Sequence, residues 1–330
     1  MDVRSEKYYT VSKKKGLMEK KHSKISIIGA GMVGAAVAFS IATQRLAGEI
    51  AIIDVNTDKA EGEALDISHG LVTMGSIDIH CGSYEQDIAD SDLVIVTAGL
   101  GRKPGETRLD PASKNIGIAR DVTANIMKYY KGGVIMVVSN PVDILTYVIQ
   151  KESGLPKGHV FGTGAVLDSA RFRYLLSKKI GGDIRNVHGF MAGEHGETQF
   201  AVWSSVHISG MRFDSYLAKR NITLDKDALV QDVVTSGAKV IKKKGVTNYA
   251  IAAVVAELAN TVLKDKNSIF SVTSWLDDYY GIKDVCISVP AFVGADGVSQ
   301  HLLYDFTDEE MAKLQYSAKQ LREFIDHLKI

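Results

Sequence analysis

A chain of 330 residues, 45% hydrophobic and 24% charged, has room for about two ordinary domains and a large apolar core. Its 39 basic and 39 acidic side chains balance, which argues against a nucleic-acid partner. No apolar run approaches the ~20 residues that cross a bilayer, so no membrane role is expected. Cys81 and Cys286 cannot build a disulfide framework and fit a reducing cytoplasm.

Residues 1–23 carry Tyr8, Tyr9 and Lys13-Lys14-Lys15 but no apolar stretch, and read as a flexible basic extension rather than a secretory signal. From Lys24 onward, β-branched runs alternate with helical patterns, the signature of βαβ units and a parallel sheet. Strands are predicted at Lys24–Ile28, Glu49–Val55, Asp78–Cys81, Ser91–Ala98 and Val134–Ser139. Helices are predicted at 32–47, 59–68 and 111–130. Gly99–Thr107, rich in glycine and charge, reads as a loop at the C-terminal end of a strand, where open α/β sheets bind ligands.

After residue 163 the alternation fades. Strands are expected near Val187–Met191, Ile269–Ser274 and Val285–Val289, and helices at 167–173, 228–243, 248–263 and 308–328. Thr307 or Asp308 is the candidate N-cap of the last helix. The expected fold is α/β: a Rossmann-type, doubly wound parallel sheet over 24–163, then an α+β substrate-binding and catalytic domain over 164–330.

Three constellations carry chemistry. The first is Gly29-Ala30-Gly31-Met32-Val33-Gly34, between a strand and a helix, with Asp54 twenty residues after Gly34. In that setting Gly29 permits the turn, Gly31 lets backbone approach a pyrophosphate, and Gly34 packs helix on strand. The helix N-terminus, beginning at Met32, offers amide donors to the phosphates. Asp54 accepts from ribose hydroxyls and repels a 2′-phosphate, so NAD is expected rather than NADP.

The second is Gly193-Glu194-His195-Gly196 with Asp168 and Arg171, three residues apart on one helical face. His195 titrates near neutrality and suits a proton donor or acceptor. Asp168 is its candidate carboxylate partner, and the fork of Arg171 suits a substrate carboxylate. The third is Arg108, beyond the glycine-rich loop, placed to swing in and polarise a carbonyl. Taken singly, each has a bland reading as a structural histidine, a helix-surface ion pair or a solvated charge. Jointly they predict hydride transfer to or from a 2-keto or 2-hydroxy acid. The two cysteines are far apart in sequence, no Cys/His cluster is evident, and no metal is expected.

With these motifs and Ser139-Asn140-Pro141-Val142-Asp143, the chain resembles the L-lactate and malate dehydrogenase family from about Lys24 to its end. The resemblance implies that His195 is the proton relay, Asp168 its partner, Arg171 the carboxylate anchor and Arg108 a mobile-loop residue. It further implies that Asn140 contacts substrate and cofactor across a cis Asn140–Pro141 bond, and that Val33, Tyr84 and Gly99 line the NAD groove. Arg102 stands where the family reads the third carbon of the substrate, and by itself suggests oxaloacetate.

Glu194, Thr247, Glu106–Asp110 and Asp143–Tyr147 are lactate-like instead, so pyruvate and lactate are the expected pair. Arg173 and His188 match positions that bind fructose 1,6-bisphosphate across a subunit interface in bacterial members, and a homotetramer is implied in the same way. A non-catalytic NAD-binding scaffold is the contrasting reading, and it predicts a degenerate proton relay, whereas all four relay residues are present.

Overall fold

The computed structural model describes residues 23–101 and 109–330. Residues 1–22 of the predicted extension and both loop arginines, Arg102 and Arg108, lie outside the described residues. The first half runs β1 (Lys24–Ile28), α1 (Met32–Thr43), β2 (Glu49–Ile53), α2 (Thr57–His69), α3 (Leu71–Met74), β3 (Asp78–Cys81), α4 (Tyr84–Asp87) and β4 (Leu93–Val96). It continues with α5 (Leu109–Tyr129), β5 (Val134–Val137), α6 (Val142–Ser153) and β6 (Val160–Gly162). Strands β4 and β5 are apolar and wholly buried, and β1 is buried along its full length, as strands covered by helices on both faces must be.

The buried Lys24 at the edge of β1 keeps its charge because its ammonium lies 2.7 Å from Glu49, 2.9 Å from Asp87 and 3.0 Å from Asp90. His80 joins the same cluster through Asp87, at 3.0 Å. Glu49 and Asp87 thus converge on an ammonium, with His80 behind Asp87.

The second half runs α7 (Val166–Ile180), β7 (Val187–His188), β8 (Met191–Ala192), β9 (Phe200–Ala201), β10 (His207–Ile208), β11 (Met211–Arg212), α8 (Phe213–Arg220), α9 (Lys226–Lys244) and α10 (Tyr249–Leu263). It ends with β12 (Ser268–Leu276), β13 (Val285–Gly294), β14 (Gly297–His301) and α11 (Asp308–Leu328). Among the described residues the principal sheet has nine strands in the order β14-β13-β12-β6-β5-β4-β1-β2-β3. Strands β1–β6 are parallel in the order 3-2-1-4-5-6, the doubly wound arrangement, with its switch point between β1 and β4. Strand β12 pairs antiparallel with β6 through Thr273 and Gly162, so the second half extends the same sheet.

Several expectations need correction. Residues 187–191 form two short strands in different sheets, because Gly189 turns the chain at φ +150° between them. Helix α1 stops at Thr43, four residues early, and β2 and β4 are shorter than their β-branched runs. Helix α6 and strands β6 and β14 went unpredicted. Helix α6 is buried over nine consecutive residues, polar Asp143, Thr146 and Gln150 included.

Candidate active site

The turn between β1 and α1 is shaped by main chain. Gly29 sits at φ +112°, and a Cβ there would lie 2.8 Å from the Ala98 nitrogen. A Cβ on Gly34 would come within 1.9 Å of the Gly29 carbonyl, so α1 can lie against the strand only with glycine. Gly31 faces open space and caps α1 with no side-chain bond, which leaves the first amides of the helix available. Asp54, one residue past β2, accepts from the Ala30 nitrogen at 2.6 Å and the Asn56 nitrogen at 2.9 Å. A carboxylate accepts about four hydrogen bonds, so two sites remain for ribose hydroxyls. Tyr84 stands near enough that burial and the Asp54 charge push its phenol up to about 12. Gly99 follows β4 beside Asn115 and Ser139.

The second group assembles from distant elements. Asp168, on the first turn of α7, is 1% exposed. One oxygen lies 2.6 Å from His195 Nδ1 and the other accepts from Arg171 Nη1 at 3.1 Å. Burial alone raises the Asp168 pKa, but the His195 and Arg171 charges and hydrogen bonds hold it below the usual carboxylate range. Burial likewise opposes charging of His195, yet the Asp168 charge and hydrogen bond, with Asp143 behind them, raise its pKa. The bond to Nδ1 leaves Nε2 as the nitrogen free for other chemistry.

Asp143, a residue of the motif for which no role was expected, fixes the loop that carries His195. It is 3% exposed and accepts from the His195 main-chain nitrogen at 2.7 Å and from the Thr273 hydroxyl. Burial pushes its carboxyl up to about 6, even with the Thr273 bond and the His195 charge opposing. Ser317 of α11 accepts from the Glu194 nitrogen at 2.8 Å and shares a hydrogen bond with Thr198 at 2.7 Å. Helix α11 is itself held by a capping box of Thr307 and Glu310. Asn115 holds the Leu100 backbone in both directions and donates to the Asn140 carbonyl at 2.7 Å. In sequence these are an ordinary serine and an ordinary asparagine within helices, and no local signal singles them out.

A cavity of about 850 Å³ brings His195, Arg171, Asn140, Thr247 and Val33 to one space. The Asn140–Pro141 bond is cis. Exposed Met32 opens α1 at the mouth of the glycine turn, and its carbonyl accepts from Asn248 at 3.4 Å. Arg173 lies apart from this cavity: it donates to the Val187 carbonyl at 2.7 Å, beside the strand that carries exposed His188.

A doubly wound sheet with a ligand-ready glycine turn, and a buried carboxylate–imidazole–guanidinium group nearby, defines a dinucleotide-dependent enzyme with its own acid–base relay. Residues 23–162 match the NAD-binding domain of the lactate/malate dehydrogenase family and residues 165–329 its alpha/beta C-terminal domain. The chain belongs to that family.

It is 46% identical to the L-lactate dehydrogenase of Thermoanaerobacterium saccharolyticum, over 93% of this chain and 100% of that one. It is 45% identical to L-lactate dehydrogenase 1 of Clostridium acetobutylicum, over 94% and 99%. Among solved structures, the L-lactate dehydrogenase of Clostridium thermocellum superposes with a TM-score of 0.83 at 48% identity, over 93% of this chain and 100% of that one. The minor L-lactate dehydrogenase of Enterococcus mundtii, in a ligand-bound form, gives 0.89 at 36% identity, over 92% and 98%. The open ground at Gly31, the free amides of α1 and the spare acceptors of Asp54 fit the NAD that this family binds. Among the described residues, no helix is long and apolar enough to cross a membrane.

Proposed function

We infer that this chain is an NAD-dependent L-lactate dehydrogenase, interconverting pyruvate and (S)-lactate. The observation that carries the reading is the Asp168 carboxylate shared between His195 and Arg171 at the wall of the cavity beside the glycine turn. The nicotinamide, when bound, would supply the hydride as NADH and accept it as NAD in the reverse direction. His195, charged through Asp168, gives its Nε2 proton to the ketone oxygen as that oxygen gains electrons, and takes it back in the reverse direction. Arg171 grips the substrate carboxylate, and Asn140 orients the carbonyl.

The family resemblance assigns Arg108 to polarising the carbonyl, and Arg102 and Thr247 to reading the third carbon. Gly29, Gly31, Met32, Val33, Gly34, Asp54, Tyr84 and Gly99 form the cofactor groove, within a domain spanning 24–163. The relatives named for lactate outweigh the oxaloacetate preference that Arg102 suggests in isolation.

The reading extends to a cytoplasmic homotetramer of glycolysis and fermentation. Arg173 and His188 of paired subunits would bind fructose 1,6-bisphosphate as an activator; the proximity of Arg173 to the His188 strand supports this assignment. The test is steady-state reduction of pyruvate and of oxaloacetate with NADH and with NADPH, each with and without fructose 1,6-bisphosphate. A higher kcat/KM for pyruvate with NADH is expected; a higher value for oxaloacetate overturns the substrate assignment.

A further inference from the structure

Strand β13 meets the carriers of both partners in the acid–base pair at one residue, Ser288. Its main chain bridges to Gly193: the Gly193 nitrogen donates to the Ser288 carbonyl at 3.0 Å, and the Ser288 nitrogen to the Gly193 carbonyl at 3.2 Å. That bridge holds the loop two residues before His195. The Ser288 side chain holds the other carrier. Its hydroxyl accepts from the Ala165 nitrogen at 3.1 Å, and Ala165 is the N-cap of α7, three residues before Asp168. No side-chain cap holds that helix start from within its own sequence. The same hydroxyl shares a hydrogen bond of 3.0 Å with the Thr273 hydroxyl. Thr273 has one hydroxyl hydrogen and gives it to the Asp143 carboxylate, so Ser288 donates to Thr273. The bonds therefore run one way, from the Ala165 N–H through Ser288 and Thr273 to Asp143, whose other oxygen accepts from the His195 nitrogen at 2.7 Å. Both hydroxyl side chains are fully buried, where a lost partner is costly. The chain entering α7 is shaped to the pair. A Cβ on Gly164, at φ +46°, would lie 2.6 Å from the Thr273 hydroxyl and closer still to that of Ser288.

We propose that Ser288 is a positioning residue, whose hydroxyl holds the start of α7 to the strand that carries the His195 loop and so fixes the Asp168–His195 contact. The proposal rests on the reading of His195 as the proton relay. Ser288 touches neither the ring nor the carboxylate of that pair; it acts through the two backbones. At 2.6 Å in a buried site the pair's attraction depends steeply on separation, because little water screens it. Once α7 is released from Ser288, its first turn holds Asp168 to the ring less closely, and the charged ring is less stabilised. The other ionisable groups around His195 are Arg171 of α7, Asp143 of α6, Glu194 on its own loop and, lining the same cavity, Lys242 of α9. Cys286 of β13 lies behind Asp143 and stays neutral, its thiol pushed up by burial. Of these, Asp143 is the one on the hydrogen-bonded chain. Loss of the Ser288 link weakens the Thr273 donor that favours its ionised form, which also makes the ring easier to deprotonate.

The experiment titrates His195 in the wild type, Ser288→Ala, Ser288→Cys and Ser274→Ala. The readout is the pH midpoint at which diethylpyrocarbonate modifies His195, followed by peptide mass mapping. It reports the neutral ring without requiring turnover. The pH profile of kcat/KM for pyruvate with NADH is measured alongside. Ser288→Ala is expected to lower the modification midpoint by about half a pH unit or more, the scale of one lost buried hydrogen bond, and to move the alkaline limb of pyruvate reduction with it. Ser288→Cys keeps a weaker acceptor at the same place and should fall between. Ser274→Ala removes a β12 hydroxyl that bonds His301 at 2.8 Å, so it should lower the melting temperature and leave both midpoints in place. Midpoints in the Ser288 variants that coincide with wild type overturn the proposal. So does an equal shift in Ser274→Ala, which would make the effect a general loosening. If Ser288→Ala does not fold, Ser288→Cys decides by the same midpoint. A wild type that does not reduce pyruvate overturns the lactate dehydrogenase reading, while the modification midpoints still decide the role of Ser288.

Discussion

The glycine turn and the His195 loop lie in one molecule but are built from different materials. The turn is a shape in the main chain: Gly29 bends it, Gly34 lets α1 close on it, and no side chain caps the helix it feeds. The loop is a shape held by buried polar side chains from four separate elements: Asp143 of α6, Asp168 of α7, Thr273 of β12 and Ser317 of α11. The first fails when volume is added. The second fails when a proton or an acceptor is removed, because unpaired polar groups in the interior are costly.

The largest effect is expected at the relay. His195→Gln should reduce kcat for pyruvate by about 10³-fold, within the range for loss of a general acid, while NADH binding by fluorescence titration stays intact. A rate within tenfold of wild type breaks the distinction between the two regions. Asp168→Asn tests the electrostatic part. The raised His195 pKa keeps the ring protonated above its ordinary value, so pyruvate reduction should persist past that pH and lactate oxidation should rise only there. Without the carboxylate, both limbs of the pH profile move to lower pH. A profile that stays in place shows that the pairing does not tune the ring.

Gly34→Ala should act in the opposite manner. Its Cβ would crowd the Gly29 carbonyl, and relieving that overlap is expected to cost about 1–3 kcal/mol of stability and to weaken NADH binding. The melting temperature and the NADH dissociation constant should both worsen, while the pH midpoint of the remaining activity stays where it is. Movement of that midpoint would show the two regions to be coupled.

The same difference decides what was legible in the sequence. A turn made by backbone leaves its mark in closely spaced glycines, and Lys24–Ile28 and Asp78–Cys81 were bounded correctly, each running up to a glycine. The Asp168–Arg171 pairing was legible from helical spacing, and the partnership with His195 from chemistry. Asp143, Ser317 and Asn115 were not read as site residues. Each acts through a main-chain or hydroxyl group brought near only by folding, across as many as 130 residues of sequence in the case of Asp143 and Thr273.

Asp143 gives the smallest and most discriminating test. Its folded pKa is raised from the model-compound value of 3.8 to about 6, so the folded protein binds this proton more tightly than the unfolded chain. The stability associated with the protonated form is fully present below about pH 4 and is lost as pH rises through about 6. Asparagine does not titrate, so Asp143→Asn removes that slope. Its amide also turns an N–H toward a group that previously donated, at a cost of about 1–3 kcal/mol. Melting temperatures of both proteins from pH 4 to 7 should therefore show the wild type losing ground relative to the variant between pH 4 and 6, whatever the offset between them. A difference that is flat or widens in favour of the wild type across that interval would mean that Asp143 stays ionised, and that the His195 loop is pinned by a charge rather than by a titrating carboxyl.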